Sequence, residues 1–305
     1  MSHPVIDRPG GTRRIAVVPA FDEEPTVASV LDKLSFFVDE LVVVDDGSTD
    51  GTRDVVKAWL PGHDHCRMLW FDENQGMSAA YHLAFTSLRT RLHRGELHED
   101  DLVLTVAADG RHDLDVVDDL HRIAVDEGLD ALLVRRDLSG HPWHERLRNR
   151  LLSAWATLWA GGVRFHDVTS GYRLLRLGAL CDALEHYEGY KYSETVEVAV
   201  VLSRLGCRVR NDVLVPVPVH RSRTRPIDTV IDLIAIPMAA YRVSRAWRAS
   251  VDHPDDDSEG PDVPGLVRPV AVTLGGLLAG ALGAGWAVGR LARALRGRRR
   301  RGTES

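Results

Sequence analysis

Apolar positions along the chain follow two rhythms. Short runs rich in β-branched and other apolar residues, at 15–18, 41–44, 68–71, 102–106 and 131–134, have the length and composition of buried strands. Between them, apolar residues in 24–34, 51–60, 77–91 and 114–127 recur at helical spacing, which predicts helices with one face turned to a core. Such alternation predicts an α/β protein, a mainly parallel sheet covered by helices on both faces. In open sheets of this kind the loops after the strands gather at one edge, and ligands bind there. The functional expectation therefore rests on three loops: 19–23, 45–50 and 107–113.

Farther along, the pattern changes. Residues 146–163 predict a helix with Leu147, Leu151, Leu152, Trp155, Leu158 and Trp159 on a broad apolar face and arginines near its start. A second amphipathic helix, 226–250, groups Ile231, Ile234, Ala235, Met238 and Tyr241, while Asp228 and Asp232 oppose a bilayer crossing. Both patterns suit a membrane surface, and both suit ordinary core packing. An acidic linker without lysine or arginine follows at 251–265 and reads as a boundary.

Between Arg268 and Arg290 lie 21 uncharged residues. At ~1.5 Å per residue they reach across a ~30 Å hydrocarbon core, so a transmembrane helix is predicted at 266–290, with a buried or re-entrant helix as the alternative. The small-residue spacing of Gly276 and Gly280 permits helix pairing and hence a homo-oligomer. The N-terminus, 1–14, is polar and flexible by composition and has no apolar stretch resembling a secretion signal, so the body of the chain is expected in the cytoplasm. One crossing would then place the basic tail, 291–305, outside, against the preference of arginine for the inner side. A hairpin or a surface helix on anionic lipid is the other arrangement.

Composition narrows the function classes. With 305 residues, 44% hydrophobic and 27% charged, the chain can form one large or two modest cored domains and is too apolar to be disordered. Cys66, Cys181 and Cys207 are too few and too scattered for a disulfide framework or a zinc cage, which fits a reducing compartment. His63, His65 and Cys66 lie close together but lack a fourth ligand nearby. The net charge of −6 argues against a nucleic-acid partner. From residue 290 onward seven arginines face one glutamate, about +6, which leaves about −12 for the rest.

Neither G-x-x-x-x-G-K-[ST] nor G-x-G-x-x-G stands at a strand-to-helix turn, so a P-loop NTPase and a dinucleotide oxidoreductase are both unsupported. The strand-end loops carry acid instead: Asp22, Glu23 and Glu24 after the first strand, Asp45 and Asp46 after the second. Such carboxylates accept hydrogen bonds from a base or ribose, and a metal ion lets them share a site with a diphosphate. An Asp/Gly turn capping the next helix accounts for residues 48–52. It does not account for two adjacent carboxylates directly after four apolar residues.

The segments VVPAFDEE at 17–24 and VVVDDGSTDGT at 42–52 resemble the donor-binding start of the family 2 glycosyltransferases, whose GT-A fold is a Rossmann-like, mainly parallel sheet flanked by helices. Asn74-Gln75-Gly76 before a helix, Ala108-Asp109-Gly110-Arg111-His112-Asp113, and Asp167-Val168-Thr169-Ser170-Gly171-Tyr172-Arg173 follow in the family's order. The last is similar to the D-x-T-S-G-F-R segment of the dolichyl-phosphate and polyprenyl-phosphate sugar synthases. The matches cover roughly residues 14–225. Membrane helices after the catalytic domain are usual in that branch.

The resemblance implies donor-binding roles for Pro19, Phe21, Glu23, Asp45, Asp46, Ala108 and Asp109. It implies Mg or Mn held on the donor diphosphate by a D-x-D motif, but the first Asp is Ala107 here, which leaves Asp109 as the metal ligand and puts the cofactor in doubt. Arg111 stands where glutamine is usual. A guanidinium can pair bidentately with phosphate, so Arg111 is expected to replace part of the metal's work. Loop decay is the other reading, strengthened by Met77 where the family prefers lysine.

Asp109, Arg111 and Asp167 are the catalytic candidates, Asp167 either orienting the 170–173 turn or serving as base for a hydroxyl acceptor. Arg136, Arg150, Ser170 and Arg173 are expected to hold the acceptor phosphate, near the interface-favouring Trp143, Trp155 and Trp159. Arg221, Ser222 and Arg223 match a further family segment poorly. The expectation is an inverting glycosyltransferase at the cytoplasmic membrane face, moving sugar from a nucleotide diphosphate sugar to a polyprenyl phosphate. A hydroxyl acceptor on a lipid or glycan, or a catalytically degenerate nucleotide-binding scaffold, is the alternative.

Overall fold

The computed structural model describes residues 11–187, 193–218 and 226–251. The predicted membrane span at 266–290, the basic tail at 291–305, the linker beyond Val251, Arg221, Ser222 and Arg223 lie outside the described residues, as does the N-terminus before residue 11. Among the described residues no helix is long and apolar enough to cross a membrane.

A seven-stranded sheet organises the molecule. Its spatial order is β3 (Cys66–Phe71), β2 (Glu40–Asp46), β1 (Arg14–Ala20), β4 (Leu102–Thr105), β7 (Arg173–Arg176), β5 (Ala131–Leu133) and β8 (Val209–Arg210). All neighbours run parallel except β7, which is antiparallel to both β4 and β5. A second, two-stranded sheet pairs β6 (Arg135–Asp137) with β9 (Leu214–Pro216).

Period-two alternation gives this sheet two cores. In β1, Ile15 and Val17 join one apolar cluster while Ala16 and Val18 join the other. The second cluster is closed by α1 (Val27–Leu34), α2 (Thr52–Trp59) and α4 (Val117–Asp126), through residues such as Leu31, Val56 and Leu120. The first is closed by α3 (Met77–His93), α6 (Leu177–Leu184) and α7 (Glu194–Arg204). Both faces of β1 and β2 are covered, and each buried Val, Leu or Ile contributes about 1.5–3 kcal/mol of transfer free energy. All three cysteines are free.

Two further helices close the lower part of the first cluster: α5 (Trp143–Trp159) and α8 (Pro226–Val251). They pack on each other and on α7, so α8 belongs to the same compact unit as the sheet. Pro237 lies inside α8 and has no N–H to offer the Leu233 carbonyl one turn earlier. The Trp155 indole N–H of α5 donates to that carbonyl at 3.1 Å.

The apolar face expected for α5 is divided. Leu152 and Ala156 enter the core with Asn149 and Ser153, while Leu147, Leu151 and Leu158 are exposed. In α8, Ala235, Ile236, Ala239 and Ala240 are buried, and Ile234, Met238 and Tyr241 face outward.

Gly47, at the end of β2, has a φ of +68°, and a Cβ there would stand 2.3 Å from the Glu73 carbonyl carbon. Gly62 also has a positive φ but nothing within 4 Å of such a Cβ. Gly62→Ala should cost about 1 kcal/mol of backbone strain, whereas Gly47→Ala should cost about 3 kcal/mol or more by adding a backbone clash. Urea unfolding of the two variants checks the difference, and equal losses would show that the loop yields.

Candidate active site

Three loops leave the carboxyl ends of β1, β2 and β4 and are stitched together by side-chain to backbone hydrogen bonds. Asp22 adopts a φ of +52°, the one non-glycine residue with positive φ among the described residues. Its carboxylate accepts from the Thr49 N–H at 2.8 Å, and its own N–H donates to Ser48 Oγ at 3.1 Å. The Glu23 N–H donates to Thr52 Oγ1 at 2.8 Å, and the Gly51 N–H to Glu24 at 3.0 Å. Thr26 Oγ1 donates to the Ala108 carbonyl at 2.8 Å, which ties the first loop to the third.

The stitched loops form one end of a cleft of about 370 Å³. Pro19, Phe21, Glu23 and Asp46 line it there, with Asn74 and Met77 from the next loop and helix. Asp45 does not. It is fully buried, paired with Arg53 at 2.5 Å, and its other oxygen accepts from the Ser48 N–H at 3.1 Å. Of the residues expected to bind the donor, Asp45 is placed to hold the loop, because strand alternation turns its side chain away from that of Asp46. The Asp46 carboxylate accepts from the Gln75 and Gly76 N–H groups at 2.8 and 2.9 Å and from Asn74 Nδ2 at 3.2 Å. Burial raises its pKa despite these bonds.

Ala107, Ala108, Asp109 and Arg111 line the middle of the cleft. Gly110, with a φ of +69°, folds the chain so that the Arg111 N–H donates to Asp109 Oδ1 at 3.1 Å, and Arg111 Nη1 stands 3.5 Å from Asp109 Oδ2. The His112 ring stacks on Tyr172 at 4.7 Å, and the Tyr172 hydroxyl donates to the Asp113 carbonyl at 2.9 Å, which clamps this loop onto the 167–173 segment. Among the described residues no group of three or more His, Cys, Asp or Glu side chains is placed to hold a metal ion.

Beyond the middle, Asp167 and Arg136 form one unit. Asp167 is almost wholly buried and accepts from Arg136 Nε at 2.8 Å, from Nη2 at 2.9 Å and from the Arg136 backbone N–H at 3.1 Å. Burial alone would raise the Asp167 carboxyl, but the Arg136 guanidinium brings it below the usual carboxylate range. Asp167 thereby fixes the direction of Arg136, which lines the cleft.

Three other expected acceptor residues do not line the cleft. Ser170 is fully buried within the 167–173 turn. Arg173 is 1% exposed and donates from Nε and Nη2 to the carbonyls of Ser170, Val168 and Thr195, with Nη1 4.0 Å from Glu194. Arg150 lies on the exposed side of α5, one turn-face away from the buried Asn149. What the sequence left unnoticed at this end is a set of charges from two helices: Glu145 and Arg148 of α5, Asp228 and Asp232 of α8. In the sequence Asp228 and Asp232 only oppose a bilayer crossing, and their i, i+4 spacing on a mostly apolar helix is the signal that pairs them.

Two buried carboxyls bind protons tightly. Asp232, with Oδ1 unpartnered, is pushed up to about 7 by burial and then by Asp228, against Arg148. Glu194 is pushed up to about 7 by burial, against Arg173. Each holds its proton more tightly folded than unfolded, so stability should fall as pH rises from about 4 to about 7 and level off above. Asp232→Asn should raise the Tm by a few degrees at pH 8 and by much less at pH 4. Thermal unfolding at both values tests this, and an equal shift at both would refute the assignment.

Comparison with known proteins agrees with this architecture. The model of the family described as "Glycosyl transferase family 2" matches residues 15–178, more than half of the chain. A polyprenol monophosphomannose synthase of Mycolicibacterium smegmatis is 26% identical over 174 residues, 54% of this chain and 62% of that relative. An undecaprenyl-phosphate mannosyltransferase of Micrococcus luteus is 27% identical over 207 residues, 65% of this chain and 80% of the other. Glucosyl-3-phosphoglycerate synthase of Mycobacterium tuberculosis, solved with Mn2+, UDP and glucosyl-3-phosphoglycerate, superposes with a TM-score of 0.52 at 23% identity, covering 77% of this chain and 81% of that one. That likeness concerns the fold, a mixed α/β GT-A sheet flanked by helices. The chain belongs to glycosyltransferase family 2 and is a glycosyltransferase.

Proposed function

We propose that the enzyme transfers a sugar from a nucleotide diphosphate sugar to a polyprenyl phosphate at the cytoplasmic face of a membrane, with inversion at the anomeric carbon. The observation that carries this reading is a single cleft lined both by the strand-end loops, to which we assign the nucleotide diphosphate sugar, and by residues of α5 and α8, with Arg136 and Arg148 in its wall for the acceptor phosphate. The relatives named for polyprenyl-phosphate acceptors support the acceptor class.

Phosphate chemistry suits the residues present. A phosphate monoester is already anionic near neutral pH, so its oxygen needs no base to attack the anomeric carbon. The bond from that carbon to the diphosphate breaks, and its electron pair leaves with the nucleotide diphosphate. The enzyme's share is alignment and neutralisation of charge. Arg136, fixed by Asp167, offers a preset cation for the acceptor end.

Leu147, Leu151 and Leu158 of α5 and Val230, Leu233 and Ile234 of α8 are all at least 41% exposed. An apolar surface beside the acceptor end suits a substrate whose tail lies in a bilayer and whose phosphate lies at its surface. A hydroxyl acceptor is the second reading, favoured by the carboxyls of Glu145, Asp228 and Asp232 at the same end.

Labelled UDP- and GDP-sugars offered with undecaprenyl phosphate in anionic vesicles should yield a glycolipid labile to mild acid. An acid-stable product would favour the hydroxyl acceptor instead. Replacing Leu151, Leu158 and Ile234 by aspartate should lower co-sedimentation with those vesicles about tenfold or more and leave nucleotide affinity in solution unchanged. Retained vesicle binding would remove the role given to this surface.

A further inference from the structure

Within the donor site proposed above, we infer that Arg111 takes the place of a divalent cation, so that this chain binds and releases a nucleotide diphosphate without metal. The inference rests on that reading of the cleft and concerns which group neutralises the diphosphate there.

The donor set does not fit a divalent ion. Of the loop after β4, Ala107 supplies no ligand and Asp109 is the carboxylate that remains before Gly110. Both Asp109 oxygens are already turned to Arg111, one accepting its backbone N–H at 3.1 Å and the other facing its guanidinium at 3.5 Å. The carboxylate of Asp46 is taken up by Asn74, Gln75 and Gly76, and that of Asp45 by Arg53. A cation placed at Asp109 would meet the Arg111 guanidinium at close range and too few oxygen ligands to replace its water.

The same geometry suits a diphosphate. Arg111 follows the Gly110 turn and lines the cleft, with its guanidinium 3.5 Å from Asp109 and 28% of its side chain exposed. Its planar fork presents N–H groups that match two phosphate oxygens. When the bond between the anomeric carbon and the diphosphate oxygen breaks, the electron pair stays on that oxygen and Arg111 stabilises it. No proton moves to or from the guanidinium. Asp109 thereby becomes a positioning residue for Arg111.

Calorimetry of the full chain with UDP and with GDP, in excess EDTA and in Mn2+, tests the inference. Wild type should bind one of them with affinities within about threefold in the two conditions. Arg111→Gln should lose tenfold or more in EDTA, and Arg111→Lys, which keeps the charge but loses the fork, should fall between. Ala107→Asp combined with Arg111→Gln should recover binding with Mn2+ alone and deplete free Mn2+ in electron paramagnetic resonance. Wild-type binding that requires Mn2+, or Arg111→Gln and Arg111→Lys both unchanged in EDTA, overturns the inference and leaves the donor site standing. Failure of wild type to bind either nucleotide in either condition overturns the donor site as well.

Discussion

The parallel register of β2, β1 and β4 is the constraint on which the site depends. Ala20 pairs with Asp45 and Val17 with Thr105, so the three strands end at one edge and release their loops side by side. Neither strand that flanks β1 is exposed on either face, which means the register cannot slip by one residue without moving a row of Val and Leu out of its core. The loops inherit that stiffness. Bonds such as Thr26 to the Ala108 carbonyl and Thr49 to Asp22 add local ties between segments that are distant in sequence.

Charge is arranged along the cleft in a graded way. Where the strand-end loops line it, the carboxylates of Asp46 and Asp45 are taken by backbone N–H groups and Arg53 and shape the loops. In the middle Asp109 and Arg111 form a weak, half-open pair. Elsewhere in the cleft wall the Arg136 and Asp167 pair is tight, with Asp167 3% exposed and the Arg136 side chain 27% exposed. A buried pair of this kind contributes little net stability, since desolvation offsets much of the Coulomb attraction. Its value is orientation: a guanidinium held at three points presents its free edge in one direction.

Helices α5 and α8 link this chemistry to an apolar exterior. Trp155 satisfies the Leu233 carbonyl that Pro237 leaves without its helical partner, which fixes the two helices against each other where the cleft opens. Leu152, Ser153 and Ala156 of α5 and Ala235, Ile236 and Ala239 of α8 turn inward, while Leu147, Leu151 and Leu158 stay exposed. The same approach brings Arg148 beside Asp232, whose carboxyl is kept near pH 7 by burial and Asp228.

The loops at 19–23, 45–50 and 107–113 and the strands before them were determined by the sequence alone, because β-branched runs and Asp/Gly turns act over a few residues. So were the absence of a second D-x-D carboxylate at Ala107 and the guanidinium at Arg111. Tertiary structure decided which of the polar residues face the cleft. Asp45 and Asp46 are neighbours in sequence, yet strand alternation sends one to Arg53 and the other to the site. Arg173 belongs to a matching motif but is drawn inward by the carbonyls of Ser170, Val168 and Thr195, contacts that arise only once β7 has inserted antiparallel between β4 and β5. That four-residue strand, arginine at both ends, carries no alternation by which it could be foreseen. Glu145, Arg148, Asp228 and Asp232 share a site because two helices about 80 residues apart in sequence pack together, and long-range packing leaves no mark in local spacing.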